Sequence, residues 1–456
     1  MAGATRLGDL ARRVLELLPA GWSGDVRVLS ERWATMRFAE SRLTQPHLED
    51  GGYASLRAVH EQRIGCAATT DLSPAGLRAL AATALALARV APPDPRFPDF
   101  PRAAGPARRT SFSRSTARLP IDRAARLAAS AIQGAHELQP DGRVAGFVEI
   151  GYEHLAVANS SGLARTAERS VAGASVLVDR PDLEAPVSGW DEAAHWDVGR
   201  LDPRALGRAA ASLVPRGPAA SAKPGRYRVL LAGPAASTVL SFLAYLGFNS
   251  RGESDGWSCL RTRRGRRVAP KAVDLLDDGT SPRSLPRAFD YEGTAKRPLW
   301  LLDGGVVGSA ATDLRSAAAA GRDRTGHGPL PEAPWGEIGA TPSNVLLAPG
   351  AASWDDLVAA VGNGLLVTRL HYVRVVHPTR SILTGMTRDG TYRIRHGEIA
   401  EPVRNLRFTE SVLKTVAGIE AIGRVARCYS DDRGGAAVTT PPFVTGGFHF
   451  TSGTVF

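Results

Sequence analysis

The stretch that decides the fold of the C-terminal half is residues 227–252, which read YRVLLAGPAASTVLSFLAYLGFNSRG. It begins with an apolar run that is typical of a buried strand. Gly233 and Pro234 then end the strand, and proline is favoured in the first turn of a helix. From about residue 235 to 246 the stretch is apolar at most positions, which predicts a helix packed with apolar side chains. The first expected unit is therefore a strand that leads through Gly-Pro into a helix.

The length and composition of the chain limit the classes of protein that it can belong to. Its 456 residues suffice for two or three domains, and with 43% hydrophobic and 22% charged residues it can bury sizeable cores. It contains no run of about 18 apolar residues without a charge, so we expect no membrane-spanning helix. Arg12 and Arg13 interrupt the N-terminus before a long apolar core forms, which is unlike a secretory signal, and we expect a cytoplasmic protein.

Cysteine usage and charge exclude further classes. Cys66, Cys259 and Cys428 are far apart and form no CxxC pair, which excludes a disulfide framework and a zinc ribbon. The net charge of +11 invites a nucleic-acid interpretation, but the positive charge is almost all arginine and is spread along the chain. This argues against nucleic acid as a partner. The one dense cluster, Arg261 to Arg267, is expected at the exposed tip of a hairpin, and the sequence leaves open whether it binds anything.

Periodicity and turn residues predict the elements and their grouping. Helices are expected at residues 7–18, 73–90, 119–138, 203–214, 235–246 and 354–362, the last two being the only ones in the C-terminal half. Strands are expected at residues 26–29, 33–39, 53–59, 63–70, 144–152, 155–158, 171–178 and 367–376. The fold class is α+β: an N-terminal region of antiparallel sheet with flanking helices, and a β-rich C-terminal domain. The predicted units are residues 1–95, a Pro-rich linker or strap at 96–118, a central subdomain at 119–216, and the C-terminal domain at 222–456.

Residue types alone point to no catalytic centre. The only His-Glu pairs, His60-Glu61 and His136-Glu137, have no second histidine within the next five residues, so no zinc helix is present. The Gly-x-Ser-x-Gly and P-loop motifs are also absent. His371 and His377 lie in an alternating segment and are expected to be ordinary sheet-face residues.

Short motifs along nearly the whole chain resemble the TldD/PmbA family (modulator of DNA gyrase, peptidase U62-like). Members of this family are regarded as subunits of a heterodimeric metalloprotease. The motifs are RFAESRLTQ at 37–45, AATTDLS at 67–73, ANSSGL at 158–163, FDYEG at 289–293, RTGH at 324–327 and GEIAEPV at 397–403. Glu40 departs from the family, which usually has a small or amide residue at its position.

The helix after Gly233 and Pro234 distinguishes the two branches of the family. In the TldD branch this helix carries His-Glu-x-x-x-His, which binds the metal. By spacing, the three motif positions correspond here to Phe242, Leu243 and Gly247, and residues 239–248 contain no His, Asp, Glu or Cys. The chain therefore resembles the TldE/PmbA branch, which lacks the metal. The resemblance implies no catalytic residue and no metal ligand in this chain, and four residues that line a chamber or have a structural role: Asn249, Asp290, Glu292 and His327.

The function implied by the resemblance is that of a non-catalytic TldE-type subunit of a cytoplasmic metalloprotease. Such a subunit is expected to be inactive alone and active with a zinc-bearing TldD-like partner, and the complex is expected to degrade or process unfolded peptides. Two alternatives remain open at this point. The chain could itself be a metallopeptidase acting as a homodimer, or it could be a gyrase- or nucleic-acid-associated modulator. The sequence names neither the substrate peptide nor the state of the chain without a partner.

Overall fold

The computed structural model describes residues 2–102, 112–180, 187–214, 217–329, 339–430 and 435–454. The chain has the predicted α+β fold, with antiparallel and mixed sheets and a β-rich C-terminal region. None of the helices in these ranges is long and apolar enough to cross a membrane.

The helices follow the chain in this order: α1 Ala2–Leu15, α2 Pro74–Val90, α3 Arg114–Ala117, α4 Ile121–His136, α5 Pro203–Ser212, α6 Gly233–Phe248, α7 Ser250–Ser254, α8 Leu314–Ala320, α9 Trp354–Val361 and α10 Val412–Ala417. The strands of the N-terminal half are β1 Ser23–Ala39, β2 Arg42–His60, β3 Arg63–Thr69, β4 Arg143–Asn159, β5 Ala164–Arg180 and β6 Val187–His195. Those of the C-terminal half are β7 Gly225–Leu231, β8 Leu275–Asp277, β9 Leu299–Asp303, β10 Val306–Val307, β11 Asn344–Leu347, β12 Gly364–His377, β13 Ile382–Arg395, β14 Glu398–Pro402, β15 Leu406–Ser411, β16 Ile419–Ile422, β17 Arg427–Ser430, β18 Ala437–Thr440 and β19 Phe443–Gly453.

The N-terminal strands form one antiparallel sheet in the order β3-β2-β1-β4-β5-β6. Pairing of β1 with β4 joins strands from the two predicted N-terminal units. Helices α1 and α2 pack on the β1–β2 side, where buried Leu and Val side chains exclude water, and α4 and α5 pack on β4 and β5. The amphipathic stripe of each helix thus covers one region of a single sheet.

Two pairs of predicted strands are in each case one longer strand. Residues 26–29 and 33–39 belong to one continuous strand, β1, and residues 144–152 and 155–158 belong to β4. In β4 the polar residues Glu153 and His154 break the apolar pattern, yet both are buried. Glu153 is paired with Arg169 of β5 at 2.9 Å and with Arg287 at 2.9 Å, so its charge is compensated where the strand buries it. A hydrophobicity pattern does not show such long-range partners.

The C-terminal strands form two sheets. One has the order β10-β9-β8-β11-β18-β17, and the other has β12-β7-β19-β15-β13-β14 with β16 on β19. Because β12 also pairs with β13, strands β12, β7, β19, β15 and β13 form a closed ring. Helix α6 contacts β12 of this ring as well as β11 and β18 of the other sheet. It therefore lies between the two C-terminal sheets.

The prediction of two helices in the C-terminal half was incomplete, since α7, α8 and α10 are also present. All three are short, so they show little periodicity in the sequence. Helix α8 begins with a capping box in which Asp313 and Ser316 satisfy each other's backbone N–H groups. It ends at Gly321, whose φ of 59° is left-handed.

The predicted hairpin at the arginine cluster was also wrong. Residues 261–267 form an exposed loop that pairs with the β10 region and not with an adjacent strand. The N–H of Gly265 donates to the carbonyl of Val307 at 2.9 Å, and the φ of Gly265 is +72°. The local turn residues suggested a hairpin because they carry no information about this distant partner.

The Pro-rich segment at 96–118 is described at both ends, and residues 103–111 lie outside the described ranges. Its first part packs on the N-terminal sheet. Phe97 and Phe100 lie under the guanidinium of Arg57, with ring centroids 5.1 and 5.5 Å from its Cζ. Cation–π contacts and burial of Phe100 thus hold this part against β2.

Candidate functional site

Helix α6 contains the three positions that the family resemblance singled out. It begins at Gly233, where no side chain fits, because a Cβ there would lie 1.8 Å from the hydroxyl oxygen of Tyr429. Leu243 is 1% exposed and belongs to the main core of the C-terminal half. Phe242 is half-buried and borders a cavity.

These α6 residues do not fit a metal ion. A divalent transition metal needs nitrogen, oxygen or sulfur ligands, and Phe, Leu and Gly side chains supply none. A ligating side chain at residue 247 would also have to displace Leu260, since a Cβ there would lie 2.7 Å from its Cδ1. In the described ranges, no group of three or more His, Cys, Asp or Glu residues could hold a metal.

A cavity of about 460 Å³ lies beside α6, between this helix and the sheet that contains β11 and β18. Its apolar wall is formed by Phe242, Tyr245, Val345 and Val438, together with Ala437. Its polar end is formed by groups from the loops that follow β8 and precede β11: Arg287, Asp290, Tyr291, Lys296, His327 and Ser343. An apolar wall with a few polar groups at one end is the usual composition of a small-ligand site.

His327 lies at this polar end and is held by two side chains. Its Nε2 is 2.8 Å from Oδ1 of Asp277, and its Nδ1 is 2.8 Å from Oγ1 of Thr325. Burial and the nearby ammonium of Lys296 lower the pKa of His327, which favours the neutral ring. Because a carboxylate only accepts, Nε2 carries the proton. Both ring nitrogens are then engaged, so His327 is not free to act as a base.

Asp277, at the end of β8, is completely buried and anchors this region. Its Oδ2 accepts hydrogen bonds at 2.6 Å from the backbone N–H groups of both Ser343 and Asn344. Burial acts to raise the pKa of Asp277, but His327, Lys296 and these hydrogen bonds outweigh it and hold the pKa far below its ordinary value. The carboxylate therefore fixes Ser343 beside the cavity.

Asp290 also borders the cavity, but its carboxylate is turned to the backbone. Oδ1 accepts from the N–H groups of Glu292 at 3.0 Å and Thr294 at 2.8 Å, and Oδ2 accepts from that of Gly328 at 2.6 Å. Burial raises the pKa of Asp290, and these three hydrogen bonds oppose the shift. Asp290 thus shapes the loop that precedes β9.

The other two predicted residues lie outside the cavity lining. Asn249 is buried at the junction of α6 and α7, where Oδ1 accepts from the N–H of Gly252 at 2.9 Å and caps α7. Its Nδ2 donates to Oγ1 of Thr341 at 2.6 Å. Glu292 accepts from the N–H of Leu314 at 2.7 Å and faces Arg57 of the N-terminal sheet. The structure therefore brings Asp290 and His327 together at one cavity and places Asn249 and Glu292 in neighbouring structural roles.

Sequence reasoning missed Asp277, Lys296 and Ser343. Lys296 carried a usable signal, because this arginine-rich chain has only four lysines and this one follows the FDYEG motif by three residues. Asp277 and Ser343 carried none, since each belongs to the site only through partners that are about 50 residues or more away in the sequence.

Comparison with known proteins agrees with this fold. Residues 224–452 match the family model described as the PmbA/TldA metallopeptidase C-terminal domain, and residues 24–88 match PmbA/TldA metallopeptidase domain 1. A curated relative, a "Metalloprotease" of Methanothermobacter thermautotrophicus, is 27% identical over 172 residues. That alignment spans 37% of this chain and 36% of the relative.

Solved structures resemble the chain over nearly its whole length. TldE from Thermococcus kodakarensis matches with a TM-score of 0.88 and 18% identity, covering 97% of this chain and 99% of that one. A protein of Thermotoga maritima described as a modulator of a DNA gyrase matches with a TM-score of 0.83 and 18% identity, covering 98% and 99% of the two chains. At these identities the likeness establishes the fold alone.

The fold and the two family matches place the chain in a family of metallopeptidases. The C-terminal match alone spans half of the chain. The chain belongs to the PmbA/TldD family.

Proposed function

We propose that this chain is the non-catalytic, TldE-type subunit of a heterodimeric metalloprotease that acts on unfolded peptides. A TldD-type partner would supply the zinc ion and the catalytic groups. The observation that carries the proposal is helix α6, in which Phe242, Leu243 and Gly247, the residues that spacing aligns with the metal motif, offer no ligand atom. Family membership supplies the class of reaction.

The fold likeness to TldE from Thermococcus kodakarensis, together with the apolar α6, supports the choice of branch. The cavity beside α6 gives this chain a place to hold part of a peptide while the partner cleaves it. The chain would then act as one wall of a chamber that admits short or unfolded peptides. The cytoplasmic location remains a prediction from the sequence.

The proposal is tested by reconstitution. This chain, the TldD-type chain encoded in the same genome and the mixture of both are each incubated with a fluorogenic unstructured peptide. Turnover is expected only for the mixture; EDTA should abolish it and added zinc should restore it. Metal analysis of this chain alone is expected to find well below one zinc per chain.

Peptide cleavage by this chain alone, with about one tightly bound zinc per chain, would overturn the proposal and support the homodimeric metallopeptidase. Absence of turnover in the mixture, combined with duplex DNA binding that weakens steeply with salt, would also overturn it and support a nucleic-acid role.

A further inference from the structure

Lys296 is a buried cation that the proposed function leaves without a role. The residue is 5% exposed. Gly279 makes room for its stem, since a Cβ at that glycine would lie 2.9 Å from Cδ of Lys296. The Nζ donates to Oγ of Ser343 at 3.0 Å, and Ser343 borders the 460 Å³ cavity.

The other buried cations of this region are paired with carboxylates. Arg27 is paired with Asp25, Arg57 with Asp25 and Glu292, and Arg169 with Glu153. Lys296, in contrast, has no carboxylate within 4.0 Å among the described residues, and its hydrogen-bonding partner is a neutral hydroxyl. Because an ammonium group has three N–H donors, the bond to Ser343 leaves two for a ligand.

Three acidic residues, Asp277, Asp290 and Asp278, lie near enough to act on this lysine electrostatically. Burial lowers the pKa of Lys296, and the negative charges of Asp277 and Asp290 oppose the shift. The oxygens of Asp277 are engaged by His327 and two backbone N–H groups, and those of Asp290 by three backbone N–H groups. The two carboxylates favour the charged lysine without occupying its donors.

The position of Ser343 determines which cavity the ammonium faces. Lys296 borders the 460 Å³ cavity and also a second one of about 620 Å³ on the side of Arg165 and Arg324. Ser343 borders the first cavity and not the second. The Nζ, which is hydrogen-bonded to Ser343, therefore lies at the cavity beside α6.

Away from its polar end, this cavity is lined by apolar side chains. Phe242 and Tyr245 of α6 face Val345 of β11 and Val438 of β18 across it. A ligand that satisfies both ends carries an anionic oxygen group next to an apolar side chain. The last residue of a peptide has this combination, because its α-carboxylate and its side chain share one carbon atom. An internal residue of a peptide offers no such charge.

We propose that this cavity binds the C-terminal residue of a peptide, with the α-carboxylate at Lys296 and Ser343 and an apolar side chain against Phe242, Tyr245 and Val438. The inference deepens the proposed function by stating which end of a peptide this chain holds. A buried polar group that pairs with its ligand rejects an analogue that lacks the partner group, so the site is selective for a free carboxylate.

The test uses the purified full chain alone, with no partner protein and no proteolysis. Two fluorescein-labelled pentapeptides that end in Leu are compared, one with a free C-terminal acid and the other with a C-terminal amide. Each is titrated with the chain, and binding is followed by fluorescence anisotropy. The acid is expected to bind about tenfold or more tightly than the amide, because hydrogen bonds to a charged group contribute on this scale. Lys296→Met should abolish the difference, whereas the matched change at the exposed Lys271, Lys271→Met, should preserve it.

Equal affinity of the native chain for acid and amide, or no binding of either at millimolar concentration, would overturn the inference. Neither result depends on a variant, so a folding defect of Lys296→Met does not affect them. Retention of the acid preference in a folded Lys296→Met chain would overturn the assignment to this residue. If free leucine binds more tightly than the peptide acid, the inference that the ligand is a peptide is overturned. Because the partner is left out, failure of the reconstituted protease would not affect these results.

Discussion

The carboxylate of Glu292 and the guanidinium of Arg57 join the two halves of the chain. Oε1 of Glu292 accepts hydrogen bonds from both terminal nitrogens of Arg57, each at 3.1 Å. Arg57 lies on β2 and also binds Asp25 of β1 through Nε at 3.0 Å and a terminal nitrogen at 2.6 Å. All three side chains are buried, so the removal of one leaves an uncompensated charge in the interior.

This network predicts an unusual dependence of stability on pH. Burial raises the pKa of Glu292 to about 7 from an ordinary value of 4.5, with Arg57 opposing and the carboxylates of Asp290, Asp313 and Asp25 adding to the shift. The folded state therefore retains a proton that the unfolded state releases. Between pH 4.5 and about 7 this residue should lower the free energy of unfolding as the pH rises, by about 3 kcal/mol in all.

The measurement is urea unfolding of the native chain and of Glu292→Gln across this range of pH. The free energy of the variant minus that of the native chain should increase with pH. Glu398→Gln, on an exposed part of β14, serves as the control and should stay within about 0.5 kcal/mol of the native chain. If the free energies of unfolding of the native chain and of Glu292→Gln change with pH in parallel, the prediction is contradicted.

The ionisation of Asp277 should change the free energy of unfolding with pH in the opposite direction. The pKa of Asp277 in the folded state lies below its ordinary value of 3.8. The carboxylate therefore stabilises the fold fully above pH 3.8, and this stabilisation is lost as the pH falls below 3.8. Asp277→Asn should cost about 1–3 kcal/mol at pH 7, because the buried N–H groups of Ser343 and Asn344 lose a charged acceptor. This cost should shrink at pH 3. Urea unfolding of the native chain and of Asp277→Asn at pH 7 and pH 3 measures this cost, and Asp303→Asn, at an exposed position, is the control. A cost of Asp277→Asn that is the same at both pH values would refute the prediction.

The close packing of α6 predicts that Gly247 does not tolerate a methyl group. Alanine is the better helix former by about 1 kcal/mol, but a Cβ at residue 247 would lie 2.7 Å from Cδ1 of Leu260. We expect Gly247→Ala to lose about 1–3 kcal/mol in chemical denaturation. Ser241→Ala, at an exposed position of the same helix, should be within about 0.5 kcal/mol of the native chain. A stabilised Gly247→Ala chain would show that α6 has room for a side chain at this position.

Helices with local signals were predictable from the sequence. Ser73 precedes α2, and its Oγ accepts from the N–H of Gly76 at 3.2 Å, which is the contact that a serine before a helix is expected to make. Ser353 caps α9 in the same way. The turn at residues 159–162 also follows local rules, since Oδ1 of Asn159 accepts from the N–H groups of Ser161 and Leu163.

The candidate site was predictable only in part. The motifs pointed to Asp290 and His327, and both lie at the cavity. The pairs Lys296–Ser343 and His327–Asp277 join residues 47 and 50 positions apart, and a pattern with a short period carries no information about such contacts.

The sequence by itself determined the α+β class, the β7–α6 unit and the apolar character of α6, because these depend on the residue types within one short window. Tertiary structure alone decided that α6 would meet an apolar cavity, and that Lys296 would lie at its polar end beside a hydroxyl instead of a carboxylate. The physical reason is that burial and charge compensation depend on the neighbours that the sheets bring together, and those neighbours come from distant parts of the chain.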